Sequence, residues 1–417
     1  MSALSNNGKC RIAVTGLGTI SPLGHDVKST WDALLAGRSG ASKITLFDCS
    51  EDDIQVACEV KNFDPAPIID VKEQKRMDRF IQLGLIASHQ AVLQSAFKEV
   101  TDPRRVAVIL SSGIGGLIKI EESYKAALEK RRISPFFIPS VITNLLPGQV
   151  SMYFGFKGPN FCISSACSSS AHSIGEGMRM IQRGDVDVAV VGGAEAPVTV
   201  LGVGGFSAMK ALAKRNEAPE KASRPFDLDR NGFVVAEGAA TLVIEKWEHA
   251  EKRGAKIFAE LVGYGTNSDA YHLTAPMENG EGAAECMQLS LKDAGIKATD
   301  IDYVNLHGTS TKQGDIAESR ALESTLGDHA KQVACSSTKS MTGHMLGAAG
   351  SFEAMACVLA TMHSKIPPTI NLDNQDPECR LNYTPNKYVE RQVNYALSNS
   401  FGFGGTNVSL IIKKVTP

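Results

Sequence analysis

Residues 162–177, CISSACSSSAHSIGEG, bring two thiols, an imidazole and several serine hydroxyls into one short run. Cysteine, serine and histidine can each act as a nucleophile or as its base. The residues before Cys167 are typical of a buried strand, and those after it favour a helix that begins with small side chains. At such a helix N-terminus, unpaired backbone N–H groups and the helix dipole favour a thiolate. Such sites lower a thiol pKa from about 8.5 to roughly 3.5–7.5, so the pattern predicts an activated Cys167.

The other groups in this run have plainer interpretations. The serines serve as caps and packing residues, because none has a base beside it in the sequence. His172 lies inside the helix and is interpreted as a buried or supporting histidine. Cys162 and Cys167 do not make a zinc site, since a closed one needs about four ligands. From these residues alone, an inert buried thiol is the alternative to a catalytic Cys167.

Two later stretches add chemistry at the ends of strands. His307 follows a buried strand in VNLHGTSTKQGD, and Lys339 and His344 lie in SSTKSMTGHMLGAAG, ahead of a small-residue helix. Open α/β sheets bind their ligands at such strand ends. One thiol and two imidazoles suit acyl transfer followed by stabilisation of a carbanion.

The elements that must position these residues alternate along the chain. Eight β-branched runs begin near residues 11, 105, 187, 240, 256, 302, 332 and 395. Several are apolar on successive residues, as strands buried on both faces are. Helical patterns, such as 77–97 and 282–296, lie between them, which predicts an α/β fold with a mostly parallel sheet. A charged helical stretch at 247–255 places a boundary between halves 1–255 and 256–417, which we expect to pack as one rigid body.

Composition narrows the class of protein. The 417 residues carry a formal net charge of −2, which gives no reason to expect nucleic acid as a partner. No apolar run reaches the roughly 18 residues that span a bilayer, and MSALSNNGKC lacks the apolar core of a secretion signal. Nine irregularly spaced cysteines favour reduced thiols. We therefore expect a cytoplasmic protein with no membrane partner.

Two motifs imitate cofactor or metal sites and fall short of them. TGLGTISP, residues 15–22, begins like a dinucleotide-binding fingerprint, but Ser21 stands in place of its third glycine. DLDRNGFVVAEG, residues 227–238, has the spacing of a calcium loop but ends on Gly238 instead of a bidentate glutamate. The sequence therefore predicts no nucleotide cofactor and no metal.

In combination, the motifs resemble the β-ketoacyl-acyl-carrier-protein synthases of the thiolase-like superfamily, most closely those of type II from bacterial dissociated fatty-acid synthesis. The resemblance covers nearly the whole chain and rests, in order, on VTGLGTISPLG, MDRFIQ, SGIGG, ISPFF, ACSSS, GGAEA, LGVGGF, SRPFD, HGTST, STKSMTGH, PPTINLDN and NSFGFGGTN. It implies a thiolase-like, five-layered αβαβα fold of two similar halves with mixed, mainly parallel sheets. The first half would carry the cysteine and the second half both histidines.

The resemblance also implies an activity and partners. The activity is a decarboxylative Claisen condensation of an acyl-enzyme with malonyl-acyl carrier protein, which lengthens a fatty acid by two carbons. The partners are acyl carrier protein and a second copy of the chain, as a homodimer. No cofactor is implied, because the phosphopantetheine arm arrives on the carrier protein.

Roles carry over from the resemblance residue by residue. Cys167 matches the nucleophile that accepts the acyl chain. His307 and His344 match the pair that hydrogen-bonds the malonyl thioester carbonyl and promotes decarboxylation. Lys339 matches an active-site lysine that orients the network together with Glu318.

Further matches concern the walls and mouth of the site. The backbone N–H groups of Cys167 and Phe403 match an oxyanion hole, and Phe403, flanked by glycines in FGFGG, matches a gate to the acyl pocket. The residues expected to bind substrate are Ile114, Phe206, Thr274, Thr309, Thr311 and Phe401. The residues expected to bind carrier protein are Lys75, Arg76 and Lys210, for each of which a merely solvated surface charge is the alternative. Among the departures from the family pattern, Lys312 replaces a frequent proline after HGTST.

Three alternative hypotheses stay open at this point. A polyketide ketosynthase would use the same site on different chains. A thiolase has a further cysteine where this chain has His344, which makes it a weaker candidate. A catalytically silent lipid-binding or scaffold subunit would have an unreactive Cys167, although the cysteine has not become the glutamine of chain-length-factor partners.

Overall fold

The computed structural model describes residues 8–99 and 101–415. Its helices are α1 Val27–Leu35, α2 Val71–Gln74, α3 Arg79–Ser95, α4 Leu117–Leu128, α5 Phe137–Val141, α6 Leu145–Phe154, α7 Ser169–Arg183, α8 Val200–Ala208, α9 Trp247–Lys252, α10 Glu281–Ala294, α11 Lys312–Leu326, α12 Lys339–Thr342 and α13 Ala349–His363. Its strands are β1 Ile12–Ile20, β2 Ser42–Lys43, β3 Val56–Ala57, β4 Val106–Ser111, β5 Asn160–Phe161, β6 Val188–Glu195, β7 Gly238–Lys246, β8 Ala259–Ser268, β9 Tyr303–Asn305, β10 Ala334–Ser336, β11 Lys365–Ile366, β12 Val389–Glu390, β13 Tyr395–Gly402 and β14 Thr406–Lys414.

The eight β-branched runs correspond to eight of these strands, and the helical patterns at 77–97, 247–255 and 282–296 correspond to α3, α9 and α10. Strand β14 lies outside the runs that the sequence singles out. Most of the N-terminal stretch without a secretion-signal pattern lies outside the described residues.

Ten strands form one sheet in the order β10-β9-β13-β14-β8-β1-β7-β6-β4-β5. The pattern of strand pairing is the same on both sides of the β8–β1 junction, where Ile12–Val14 pair antiparallel with β8. On each side the two pairings nearest the junction are antiparallel and the two outer pairings are parallel. The chain therefore builds two five-stranded units of the same design. Residue 255 lies in the connection between α9 and β8 that separates them.

The pairing is less parallel than the sequence and the resemblance predict. Within the described residues, five of the nine neighbouring pairs in this sheet are antiparallel and four are parallel. One cause is the β13–β14 hairpin, because strands joined by a tight turn must run antiparallel. The mixed sheet and the α/β class are confirmed.

Successive residues of the central strands face two different hydrophobic layers. In β6, Val188 and Val190 pack in the layer that contains α3, whereas Ala189 and Val191 pack in the layer that contains α7 and α13. The layer with α7 and α13 also takes the inner face of the second unit, and α10 and α11 cover that unit's outer face. The result is the five-layered αβαβα arrangement that the resemblance implies.

The glycines of the dinucleotide-like motif have a packing function. A Cβ atom at Gly18 would lie 2.0 Å from the Ala87 carbonyl oxygen, and one at Gly16 would lie 2.2 Å from that of Ala91. Both carbonyls belong to α3, so the glycines let this helix press directly on β1. Close packing of the helix on the strand accounts for both glycines.

Strand β5 differs from the buried strand expected before Cys167. Only Asn160 and Phe161 pair with β4, and both are exposed at the edge of the sheet. All nine cysteines are free thiols, as their irregular spacing predicts. Among the described helices, none is both long and apolar enough to cross a membrane.

Candidate active site

Cys167 lies in a 3-10 turn, Ala166–Ser168, that leads into α7. Ala166 has a φ of +50°, in the left-handed region that residues with a Cβ atom rarely adopt. Ser168 Oγ holds the turn by donating to the backbone carbonyl of Ser400 at 3.0 Å. The turn therefore presents Cys167 at the junction that the sequence predicts, but under backbone strain maintained by a neighbouring strand.

His344 lies directly against the cysteine. Its Nε2 is 3.0 Å from the Cys167 Sγ, and its Nδ1 is 3.3 Å from the backbone nitrogen of Leu346. Because a backbone N–H can only donate, Nδ1 must accept, and the proton of a neutral ring sits on Nε2. Burial and the Lys339 charge hold the pKa of His344 well below its ordinary value. A neutral imidazole therefore donates its Nε2–H to the sulfur.

His307 approaches from the end of β9 and completes a group of three. The His307 and His344 rings are 5.4 Å apart at 84°. One ligand-type atom from each ring and the Cys167 Sγ all lie within 4.8 Å of one another. Burial, the Lys339 charge and the neighbouring His344 hold the pKa of His307 well below its ordinary value. Its Nδ1 is buried without a partner among the described residues, which leaves Nε2 for a ligand.

The prediction that the helix end ionises Cys167 is wrong. Burial raises the pKa of the Cys167 thiol to about 11. The positive charge of Lys339 and the backbone N–H of Phe403 both favour the thiolate, but less strongly. The helix-end argument neglects the free energy needed to remove a thiolate from water. The resting site therefore holds a thiol beside neutral imidazoles.

Glu318 and Lys339 support the histidines in different ways. Glu318 accepts the backbone N–H groups of His307 at 2.8 Å and of Gly308 at 2.7 Å, so it fixes the main chain at the end of β9. Lys339 is almost completely buried, and its ammonium forms an ion pair with Glu353 of α13. Burial raises the pKa of Glu353 to about 7 although Lys339 opposes this rise. Glu353 is a supporting residue that the sequence analysis missed.

A cavity of about 770 Å³ extends outwards from Cys167. Its lining includes Cys167, both histidines and Glu318, but Lys339 lies behind the wall. Every residue expected to bind substrate lines it, namely Ile114, Phe206, Thr274, Thr309, Thr311 and Phe401. The hydroxyls of Thr309 and Thr311 are 3.0 Å apart on one side of the cavity.

Phe403 lies at the tip of the β13–β14 hairpin and lines the same cavity. Gly404 and Gly405 follow it with φ of +86° and +73°, a region that glycine adopts without strain. The Phe403 N–H lies against the cysteine sulfur, and the Gly404 N–H donates to the Leu273 carbonyl at 2.7 Å. The hairpin tip therefore touches both the nucleophile and the opposite loop.

Phe233 is a second residue that the sequence analysis missed. Its ring makes edge contacts with His344 and Phe206, each at 5.3 Å between centroids. It belongs to residues 227–238, the motif with calcium-like spacing. The first acidic residue of that motif, Asp227, bonds to Arg224 and to backbone N–H groups. The motif thus builds a wall of the cavity.

The thiol and two imidazoles are also a possible zinc-ligand set. The buried Lys339 ammonium opposes a cation there, because its charge already disfavours protonation of both histidines. The absence of a metal stays a prediction.

The basic residues expected to bind carrier protein lie in two places. Lys210 is exposed and lines the cavity. Lys75 is exposed at the end of α2. Arg76 pairs with Glu73 at 2.6 Å and lies 4.6 Å above the Phe136 ring, so part of its charge is engaged within the chain.

This fold, with one cysteine and two histidines converging on a deep cavity, defines a thiolase-like condensing enzyme. The models of the N-terminal and C-terminal domains of β-ketoacyl synthase match residues 9–250 and 258–373, and the chain belongs to that family. It is 50% identical to 3-oxoacyl-[acyl-carrier-protein] synthase 2 of Coxiella burnetii, over 98% of this chain and 99% of that protein.

Solved structures agree with this assignment. A β-ketoacyl synthase from Burkholderia phymatum matches with a TM-score of 0.91 and 35% identity, over 97% of this chain and 100% of that one. A type II polyketide ketosynthase, solved in complex with its acyl-carrier protein, matches with a TM-score of 0.90 and 32% identity, over 98% and 100% of the two chains. The resemblance seen in the sequence is confirmed.

We predict that Lys339→Met destabilises the protein and shifts its pH profile. The variant leaves the Glu353 carboxylate buried without its cation, which costs about 3–5 kcal/mol in the free energy of unfolding. Lys339 lowers the pKa of both histidines, so its removal raises both values, and activity falls at a higher pH on acidification. Urea denaturation and a pH–rate profile measure the two effects.

Two controls accompany this prediction. Lys339→Met/Glu353→Gln removes both charges and should lose less stability than the single variant. Lys28→Met breaks an exposed pair with Asp32 and should leave stability nearly unchanged, because solvent screens such pairs. Equal losses in the single and double variants would show that the ion pair is not what stabilises this site.

Proposed function

We propose that this chain catalyses decarboxylative condensation of an acyl group, held as a thioester on Cys167, with malonyl-acyl carrier protein. The product is a β-ketoacyl chain two carbons longer, so the chain acts as an acyltransferase of fatty-acid elongation. The observation that carries the proposal is the 3.0 Å contact between His344 Nε2 and Cys167 Sγ, with His307 in the same cluster at the end of the cavity.

The first half-reaction is an exchange of thioesters. The Cys167 sulfur attacks the acyl carbonyl, the carrier's thiol departs, and the proton lost from Sγ ends on that departing thiol. The Nε2–H of His344 stabilises the sulfur as it loses its proton. The backbone N–H groups of Cys167 and Phe403 serve as the oxyanion hole, which requires donors aimed at the position where charge develops.

The second half-reaction uses the two imidazoles together. The thioester carbonyl of the malonyl group accepts one N–H from His307 and one from His344. When the carbon–carboxylate bond breaks, carbon dioxide leaves and its electron pair forms an enolate on that thioester. The enolate carbon attacks the carbonyl of the acyl-enzyme, and the Cys167 sulfur leaves as a thiolate that takes up a proton from water to restore the resting thiol. Both histidines are neutral, so each has a single N–H group to donate. The Lys339 ammonium does not line the cavity and does not meet the substrate.

Fatty-acid elongation is favoured over polyketide synthesis by the pattern of relatives. The 3-oxoacyl-[acyl-carrier-protein] synthase 2 proteins of Coxiella burnetii and Vibrio cholerae are 50% and 49% identical to this chain. The polyketide ketosynthase solved with its acyl-carrier protein is 32% identical.

Both groups use carrier-bound substrates by name, so acyl carrier protein is the proposed partner, with Lys75, Arg76 and Lys210 as its contacts. The phosphopantetheine arm arrives on that partner, and we propose no resident cofactor and a cytoplasmic setting for the nine reduced thiols.

A homodimer is the proposed assembly, formed through the open edge of β5. Phe161 on this strand is exposed, and Met152 and Tyr153 on the adjacent α6 are exposed large apolar residues. An open strand edge with apolar neighbours is a template for pairing with another chain. A second copy of the chain offers the same edge, so two copies can pair about a twofold axis.

We predict that Cys167→Ala and His307→Ala separate the two half-reactions. Cys167→Ala should abolish transfer of label from acyl carrier protein to the enzyme. His307→Ala should retain that transfer but slow malonyl decarboxylation by about 10²–10³-fold, since it removes one of the two N–H donors to the thioester carbonyl. Gel autoradiography of the acyl-enzyme and release of labelled carbon dioxide give the two readouts.

The same pair of variants distinguishes the alternatives. Acylation of Cys167→Ala at another residue would contradict the nucleophile assignment. A wild-type protein that neither accepts an acyl group nor releases carbon dioxide would instead be the silent lipid-binding or scaffold subunit.

We predict that Phe161→Asp converts the dimer into a monomer. The added charge would be buried in the proposed interface without a partner, which disfavours association. Light scattering after size-exclusion chromatography measures the mass, and Leu93→Asp on the exposed side of α3 is the matched control. A wild-type monomer, or a Phe161→Asp protein that stays dimeric, would contradict the β5 interface.

A further inference from the structure

The cavity has a cationic rim that the condensation chemistry does not use. Lys210 and Lys312 both line the cavity and are exposed to solvent. Among the described residues, neither ammonium lies within ion-pair distance of a carboxylate. Two ammonium groups without a carboxylate partner at the mouth of a substrate cavity favour binding of an anion.

Hydrogen bonds from a buried arginine hold the backbone at Lys312 in place. The guanidinium of Arg230 is completely buried. Its Nε donates to the Thr311 carbonyl at 3.2 Å and its Nη2 donates to the Lys312 carbonyl at 2.8 Å. The lysine therefore projects from a fixed point on the rim, and little backbone freedom is lost when it binds a ligand.

Asp376 interacts electrostatically with Lys312, but its carboxylate oxygens already have other hydrogen-bond partners. Asp376 has a pKa held below its ordinary value partly by Lys312. However, one of its oxygens accepts the backbone N–H of Glu378 at 2.9 Å, and the other accepts Arg230 Nη1 at 2.8 Å. Because both oxygens of Asp376 already have hydrogen-bond partners, the Lys312 ammonium stays available for an anion from outside the chain.

The order of residues along this side of the cavity indicates which anion. His307 lies beside Cys167; farther along the chain Thr309 and Thr311 line the same cavity half-buried, and the next residue, Lys312, lines it exposed to solvent. A carrier-bound substrate has the same order of groups, namely a thioester, two amides and then a phosphate. With the thioester at His307 and the amides beside the threonine hydroxyls, the phosphate reaches the end of the segment where Lys312 stands.

We propose that Lys312 binds the phosphate of the phosphopantetheine arm and so makes this enzyme discriminate in favour of phosphorylated substrates. The inference rests on the proposed function, because it names a contact made by the same substrate in the same cavity. Lys312 acts on binding and takes no part in bond making or breaking. Its contribution is therefore expected in KM and not in kcat.

The test compares malonyl-phosphopantetheine with malonyl-pantetheine as substrates for the acyl-enzyme, since the two differ only in the phosphate. Lys312→Met should raise the KM for the phosphorylated substrate about two- to fivefold, as expected for an exposed ion pair. It should leave kcat, and the KM for malonyl-pantetheine, unchanged. Lys312→Arg should retain the preference, and Lys331→Met, an exposed lysine beyond the far end of α11, should match the wild type.

The outcomes separate the two proposals. Equal KM values for Lys312→Met and wild type, or equal changes with both substrates, would overturn the phosphate contact. If the wild type condenses neither substrate, the proposed function fails, and calorimetry with phosphopantetheine and pantetheine then decides the contact alone. Weaker binding of phosphopantetheine only, in Lys312→Met, would support the contact, and unchanged binding of both would refute it.

Discussion

The hydrogen bond between His344 Nε2 and Cys167 Sγ is the interaction on which the site depends, because it joins the two five-stranded units. Each residue precedes one of the two helices of the middle layer, α7 and α13. These helices approach closely, since a Cβ atom at Gly350 would lie only 2.7 Å from the Ala171 Cβ. Small residues at the start of both helices therefore bring the sulfur and the imidazole within 3.0 Å. The close approach of these two core helices thus positions the groups that react.

Burial of this contact determines how the site can react. Removing the sulfur from water keeps Cys167 as a thiol, and burial next to Lys339 keeps both histidines uncharged. A site of this kind offers oriented N–H donors instead of preformed ions. Such donors are most effective on charge that appears only during the reaction, first on the attacked thioester and then on the enolate. The Lys339–Glu353 pair keeps a positive charge behind the histidines without exposing it to substrate.

Much of the site could be predicted from the sequence, because its parts follow local rules. Cys167 comes before a small-residue helix, His307 follows a buried strand, and His344 opens another small-residue helix. Their assembly in space came from the family resemblance. The sheet was harder to predict, because β14 is joined to β13 by a tight hairpin that breaks the alternation of strands and helices. Strand β5 is also too short to show a buried pattern.

Electrostatics was the least predictable part. The helix-end rule for Cys167 is sound for an exposed junction, but the sequence does not reveal how deeply the sulfur is buried. Glu353 was missed as the partner of Lys339 for a related reason, since the two residues meet only when α12 and α13 pack. Phe233 was hidden inside a motif whose spacing resembles a calcium loop. These properties depend on packing between distant segments, which no local pattern records.

The central claim is that Cys167 rests as a thiol and loses its proton only during acyl transfer. The pH dependence of Cys167 alkylation by iodoacetamide tests this claim most directly, with Cys167→Ala as the background control. With a pKa of about 11, the rate should rise about tenfold per pH unit from pH 7 to pH 10, because only the thiolate reacts. A rate that levels off below about pH 8 would contradict the account, since it would mean that the sulfur is already ionised in the resting enzyme.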